Sequence, residues 1–487
     1  MGGHAQRMGG RPRVRHLRVL ARGRPRKPAL DFCRRDCPGG PRPRRSPQEY
    51  TMTTRLGAVP AGLTGKIVTE GDPRYRLLRS TYTTVGQPAA VVLAKSADDV
   101  AAALRLARER NLPLAVRSGG HGLSGSATND NGLVIDLSEM RRVDVLDRRT
   151  RLVRVEAGAR WAQVAKALAP HGLAISSGDH GNVGVGGLAT AGGIGWLVRH
   201  YGLTIDHVRA VEVVLADGTQ VRADADTEPD LLWVMRGAGA GAGIAVAFEI
   251  EAIELRDVGF AQLVMRVDGA GGNLQRWGAV MAAAPRALTT AVMLTSQGNT
   301  PVASITAVVA SDKPATIQQA LQPLLDIRGI AVQQAQVLPY PKLVPPAHLH
   351  PNTGQMPTHT TNGLFAGINR DAARALVKAV TGRDPVLIQL RSLGGAANDL
   401  DPDATAYPHR HHKTLVIAST FPPYGRKALS TAWGAFAPHV DGAYVNFESH
   451  PDATTFARAY PGPTGARVHE LWKRYDPDGI LHRSAKA

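Results

Sequence analysis

The side chains best placed to do chemistry lie in a glycine-dense stretch directly after the short apolar run Leu114-Ala115-Val116. There the chain reads Arg117, Ser118, Gly119, Gly120, His121, Gly122, Leu123, Ser124, Gly125. Few side chains stand in the way of a ligand, so successive backbone N–H groups can form a nest for an anion such as a pyrophosphate, with Arg117 adding positive charge. His121 is the nucleophile of this stretch: a neutral imidazole can add to an electrophilic carbon. Taken alone, a glycine-rich turn after a strand is also consistent with nothing more than a turn.

A second cluster follows about sixty residues on: Ser177-Gly178-Asp179-His180-Gly181-Asn182-Val183-Gly184-Val185-Gly186-Gly187, then Ala191-Gly192-Gly193-Ile194-Gly195-Trp196. Together the two clusters and their spacing resemble the FAD-linked oxidases of the vanillyl-alcohol oxidase superfamily, with a PCMH-type FAD-binding domain, and within it the berberine-bridge-enzyme-like branch. The resemblance implies FAD, bound covalently through His121. It implies cofactor contacts from Arg117, Ser118, Gly119, Gly120, Gly122, Leu123, Ser124, Gly178, His180, Val183, Gly184, Gly187, Gly192, Gly193 and Gly195. Many relatives attach the flavin a second time through a cysteine. This chain has His180 at that position, as do nicotine-oxidising members of the family, so one bond is expected, with His180 packing or hydrogen-bonding. Val183 matches the small residue of oxygen-reactive members.

A third glycine contact, G-G-G-G-N-F-G in most relatives, is here Gly237-Ala238-Gly239-Ala240-Gly241-Ala242-Gly243. Without the Asn and the aromatic, backbone contacts near Gly243 and Ile244 are what the resemblance leaves. Tyr444-Val445-Asn446 matches a segment whose tyrosine faces the reactive side of the flavin, which makes Tyr444 the expected base and Asn446 its orienting partner. A free phenol titrates near 10, so a cation such as Arg391, Arg410 or a charged histidine is expected to lower it. The implied reaction is removal of hydride from an alcohol, sugar or amine carbon of a small-molecule substrate, with O2 as acceptor. A flavin dehydrogenase, a non-catalytic flavoprotein and a basic-tailed binding protein remain the alternatives.

The net charge of +18 on 487 residues suggests a polyanionic partner until it is located. Residues 1–52 hold fourteen Lys and Arg against three Asp and Glu, about +11 of that charge, in an Arg/Pro/Gly-rich segment too poor in apolar residues to fold. The body is only mildly basic, so no nucleic acid is expected. No apolar run is long enough for a membrane helix, and the tail lacks the apolar stretch of a secretory signal, which points to the cytoplasm. Both cysteines, Cys33 and Cys37, lie in this tail, so the body has neither a disulfide nor a thiol nucleophile.

Element signals place these residues in an α+β protein. Ser96-Ala97-Asp98-Asp99 reads as a capping box opening a helix with Val100, Leu104 and Ala107 on one face. Ala216-Asp217-Gly218 reads as a hairpin turn. From about Val258 the glycine clusters stop, and strands at Val264–Val267, Thr289–Thr295 and Ser304–Ala310 alternate with helices at Pro314–Leu325 and Arg370–Thr381. The expected organisation is a basic tail (1–56), an FAD-binding domain (57–257), a substrate domain with an antiparallel sheet and helices on one face (258–430), and a segment returning to the FAD domain (431–487). No metal site is expected: His348, His350 and His359 sit in or beside a Pro-rich loop read as solvated surface, and His409, His411 and His412 do not complete a four-ligand set by spacing.

Overall fold

The computed structural model describes residues 56–481 apart from 347, 349 and 385; the basic tail with Cys33, Cys37 and Met52 lies outside them. After the single turn α1 (Tyr75–Leu78), short runs of Val, Ile and Leu make a four-stranded sheet from β1 (Ile67–Val68), β2 (Ala90–Leu93), β3 (Leu114–Arg117) and β4 (Leu133–Asp136), in the order β1-β2-β4-β3. β2, β4 and β3 are parallel, and the crossover that parallel pairing requires is α2 (Ala97–Glu109). Ser96 caps α2 by accepting the Asp99 N–H at 3.3 Å. The expected reciprocal half of the box does not form. Asp99, one methylene shorter than Glu, instead takes the Lys95 N–H at 2.9 Å and the Lys66 ammonium at 2.5 Å.

A second, antiparallel sheet holds β5 (Val143–Asp147), β6 (Leu152–Glu156), β8 (Val208–Val214), β9 (Gln220–Ala223) and β10 (Ile244–Glu251), in the order β5-β6-β10-β8-β9. Gly218, at φ +91°, turns β8 into β9 as the Asp-Gly signal predicts. Between the strands lie α3 (Trp161–Leu168), β7 (Leu173–Ala174), α4 (Val185–Ala189), α5 (Val198–Tyr201) and α6 (Pro229–Met235), and β11 (Ile253–Glu254) pairs with β7. Both sheets share one core, in which Leu104, Ile135, Trp161 and Phe248 are almost wholly buried.

The third sheet has seven antiparallel strands: β12 (Asp257–Arg266), β13 (Leu288–Gln297), β14 (Thr300–Val309), β15 (Ile330–Pro339), β16 (His359–Phe365), β17 (Leu387–Ser392) and β18 (Thr414–Thr420), ordered β15-β12-β14-β13-β17-β18-β16. β12 begins seven residues before the strand read at Val264, because its pairing with β14 and β15 runs back to Asp257. β15, β16, β17 and β18 escaped the sequence reading. β15 is a Gln-containing edge strand exposed along almost all its length, and β18 is buried on both faces, so neither alternates.

Four helices, α7 (Gly272–Ala283), α8 (Pro314–Leu325), α9 (Arg370–Val380) and α10 (Arg426–Gly434), join one core with the sheet residues Val292, Leu294, Ile388, Leu390, Val416 and Ala418. The alternate residues of β18, Leu415 and Ile417, join Leu364 in a separate cluster with Ile194, Leu203, Tyr407 and Tyr444. β18 thus connects the helical layer to the second glycine cluster. Finally α11 (Ala453–Ala459) and α12 (Pro463–Tyr475) bring the chain back to α6. The Tyr460 hydroxyl donates to the Gly237 carbonyl at 3.0 Å, and the Trp472 indole N–H to the Ala238 carbonyl at 2.8 Å. Among the described residues no helix is long and apolar enough to cross a membrane.

Trp277 is the largest side chain of the helical layer, fully buried, with its indole N–H on the Thr290 hydroxyl at 3.2 Å. Trp277→Ala leaves a cavity and an unpaired hydroxyl, and chemical denaturation is expected to register a loss of about 3–5 kcal/mol.

Candidate active site

β3 delivers its last residue, Arg117, into the interior. The side chain is 4% exposed, its Nε donates to Asp136 at 2.6 Å on the adjacent β4, and Nη1 reaches the Ser80 carbonyl at 3.4 Å. The Arg117 charge, expected to serve the anion nest, is paired with Asp136, which anchors the loop to the sheet, while its Nη2 is buried without a partner. Ser118 Oγ donates to the Ala157 carbonyl at 2.5 Å and accepts the Gly186 N–H at 3.3 Å, which fastens the first glycine turn to the second.

The two turns meet backbone to backbone. A Cβ on Gly119 would lie closer than 3 Å to the backbone of Gly184, and a Cβ on Gly184 would overlap Gly119 N and Ser118 Oγ. Gly120 turns the chain at φ +67° beneath Asn352, Gly178 packs on Leu188, and Gly195 lies against the Ser177 carbonyl. In contrast Gly122 and Gly187 are exposed, with nothing within 4 Å of where a Cβ would stand. Leu123 and Ser124 line a cavity of about 180 Å³ with Thr83, Thr84, Thr358 and His450. A larger depression of about 580 Å³, around Arg148, Arg256 and Asp312, is lined by none of these residues.

His121 sits at the lip of this cradle in an aromatic cluster. Its ring stacks on Tyr82 at 4.5 Å between centroids, with His180 at 5.1 Å and His348 at 5.6 Å. Burial, reinforced by His180, Arg160 and His348, lowers its pKa to about 3, and burial also lowers that of His180. At neutral pH both rings are uncharged and keep a lone pair. His121 Nε2 and His180 Nδ1 are buried without a hydrogen-bond partner. Val183, half-buried, directs its N–H to the His180 carbonyl at 3.1 Å, which fixes the turn that carries His180.

The segment between β15 and β16 folds over this cluster, contrary to its reading as surface loop. The Asn182 amide exchanges hydrogen bonds with the backbone of His348 at 2.9 and 3.3 Å, and Asn352 Nδ2 donates to the Gly119 carbonyl at 3.1 Å. His350 is exposed as expected, whereas His348 is half-buried against Tyr82. Tyr82, His348 and Asn352 are the members that sequence reasoning missed. No local motif marks them, since each reaches the site through a loop whose path is set by tertiary contacts.

Tyr444 and Asn446 lie beside the end of the second glycine cluster. The Tyr444 oxygen accepts the Gly193 N–H and an Asn446 Nδ2–H, each at 2.9 Å, and Asn362 of β16 clamps the Tyr444 backbone at 2.7 and 3.0 Å. Its ring fills the space beside Gly192, where a Cβ would come within 2.8 Å of Cε2. The expected lowering of its pKa is reversed. Burial raises it, and the two donated hydrogen bonds and Arg391 oppose this with lesser effect. Arg391 is paired with Asp179 at 2.9 Å, and Arg410 is closed in a buried pair with Asp206 at 2.7 Å. His409, whose Nε2–H donates to the Ala459 carbonyl at 3.0 Å, has its pKa lowered to about 4 by burial.

The third glycine loop is filled by protein. A Cβ on Gly237 would meet Ala406 and Tyr407 backbone, and one on Gly241 the Trp472 ring, each closer than 3 Å. Gly243 packs on Val213, and Ile244 pairs with Val214 of β8. These glycines admit the 405–407 loop and α12.

With this geometry in hand, likeness to known proteins is informative. Residues 88–224 match the FAD binding domain family. Over 444 residues the chain is 26% identical to an uncharacterized FAD-linked oxidoreductase of Bacillus subtilis, YgaK, covering 86% of this chain and 96% of that one. Over 206 residues it is 34% identical to the (R)-6-hydroxynicotine oxidase of Paenarthrobacter nicotinovorans, covering 42% and 44%. In structure it is similar to the glucooligosaccharide oxidase of Acremonium strictum, whose FAD is 6-S-cysteinyl, 8α-N1-histidyl, with a TM-score of 0.78, 21% identity and 88% and 97% of the two chains covered. The fold is that of the PCMH-type FAD oxidases, and the relatives and structural neighbours are FAD-dependent oxidoreductases.

The contact between the two turns can be tested on the protein without cofactor. Gly184→Ala forces backbone apart and is expected to lower the unfolding temperature, a cost of at least about 1–3 kcal/mol. Gly187→Ala, which faces open space inside α4, should leave stability unchanged or raise it by up to about 1 kcal/mol.

Proposed function

We propose that this chain is an FAD-dependent oxidase that holds its flavin through His121 alone, and that takes hydride from an alcohol, sugar or amine carbon of a small cytoplasmic substrate. The observation that carries the reading is the His121 ring: uncharged at neutral pH, with a buried nitrogen that has no partner, next to the exposed Gly122. A buried nitrogen left unpaired is costly in a finished structure, and a covalent bond or a cofactor atom would satisfy the site. The residues present therefore fit FAD. Ser118 to Ser124 and the turn from Gly178 to Gly187 would hold it.

When bound, FAD supplies a two-electron acceptor whose reduced form passes electrons to O2, giving H2O2. The protein's part is to position and to move a proton. A second, thioether attachment has no donor here, because residues 56–481 contain no cysteine and His180 stands where one would be needed. Val183, by its likeness to the oxygen-reactive members, would admit O2 beside the turn. Tyr444 and Asn446 present a polar edge next to Gly193, where a substrate O–H or N–H can be oriented and its proton accepted.

Acid precipitation of the purified protein should leave the yellow flavin in the pellet. His121→Ala should release it to the supernatant, and full release from the wild type would exclude the covalent link.

Because burial holds Tyr444 above its usual pKa, the phenolate is the minor form at pH 7. If the phenolate is the base, the rate of anaerobic flavin reduction rises with pH through the neutral range by up to about tenfold per unit. Tyr444→Phe should lose about 10²–10⁴-fold in that rate and flatten the profile. A wild-type rate independent of pH would remove Tyr444 from this role.

A further inference from the structure

At the far end of β16 from the glycine cradle, three side chains converge that no part of the oxidase reading uses. His411 and His412 immediately precede β18, and Asp441 lies thirty residues on, just before Tyr444. One ligand atom from each lies within 4.8 Å of the others. The two imidazole rings lie 3.9 Å apart between centroids, and His412 Nε2 is in contact with Asp441 Oδ1. Spacing alone could not reveal the group, because its carboxylate comes from a different segment.

We propose that His411, His412 and Asp441 form a binding site for a divalent transition-metal ion, Zn2+ foremost. Two imidazoles and one carboxylate are a donor set suited to Zn2+, and three protein ligands leave a fourth position for water. The backbone that carries the ligands is already fixed on both sides. Asp441 makes a two-bond bridge with Leu364 of β16 at 2.8 and 3.0 Å, Lys413 donates to the Phe365 carbonyl at 2.9 Å, and Asn398 Nδ2 holds the His412 carbonyl at 3.2 Å. The two ligand segments are thus registered on consecutive residues of one strand, so binding requires side-chain adjustment rather than chain movement. His412 is 1% exposed and forms the floor, its Nδ1 buried without a partner, while His411 and Asp441 are exposed and give the ion access.

A bound ion would tie the loop after Tyr407 to the segment that leads into Tyr444 and Asn446. Asn362, two residues from Leu364, already holds the Tyr444 backbone. The site therefore braces the approach of Tyr444 to Gly193 without touching the reacting groups.

The test is calorimetric titration of ZnCl2 into untagged, full-length protein stripped of metal by a chelator and dialysed, beside His411→Ala and Asp441→Asn. Both substitutions are at exposed side chains, so the variants should fold, which circular dichroism checks. The wild type should show a binding event, with a Zn2+-dependent rise in unfolding temperature, that each variant weakens by more than about tenfold, the lower range of what even an outer-shell partner is worth to a metal site. His359→Ala, at the separate stacked pair with His450, should leave the event intact. The proposal is overturned if the wild type takes up no Zn2+, if either ligand variant binds it as the wild type does, or if His359→Ala abolishes the event.

Discussion

Everything in the candidate site depends on one close approach, the backbone of Gly119 against the backbone of Gly184. Two loops from different sheets can touch at this distance only if neither carries a Cβ, and Ser118 then bonds across the contact to Ala157 and Gly186. The approach sets where His121 stands relative to His180, and therefore how deeply both rings are buried. Burial in turn holds them uncharged. A steric fact about two glycines thus becomes an electrostatic fact about a nucleophile.

Three arginines near the site are consumed in holding it together. Arg117 is closed on Asp136, Arg410 on Asp206 and Arg391 on Asp179. Pairing of this kind keeps buried guanidinium groups tolerable, because removing either partner would strand an uncompensated charge. It also leaves little net positive charge to stabilise a phenolate, and the desolvation of Tyr444 prevails. What Tyr444 retains is position, fixed by two donors on its oxygen and by the Asn362 clamp on its backbone.

β18 joins these features. Its alternate residues serve two clusters, one with the helices α7 to α10 and one with Tyr407, Tyr444 and the end of the second glycine cluster. The sheet that carries the helical layer is in this way also one wall of the site. The same strand pairing, β16 with β18, registers the segments that bear His412 and Asp441. Catalytic-side geometry and the histidine group are consequences of one ladder.

The sequence by itself determined what depends on local chemistry: the glycine turns, the position of His121 in the first of them, the lack of cysteine in the body, the hairpin at Gly218 and the amphipathic helices. Glycine density and 3.6-residue periodicity are properties of neighbouring residues, so they are legible in one dimension. Only the tertiary structure decided which partner each charge would find, that Arg117 pairs with Asp136, and that burial outweighs Arg391 at Tyr444. It alone placed Tyr82, His348 and Asn352 over His121 and filled the third glycine loop with Trp472. It also showed β15 and β18 to be strands, one an exposed edge and the other buried on both faces, where no alternation survives to mark them. Burial and pairing are sums over residues distant in the chain, and no local pattern contains them.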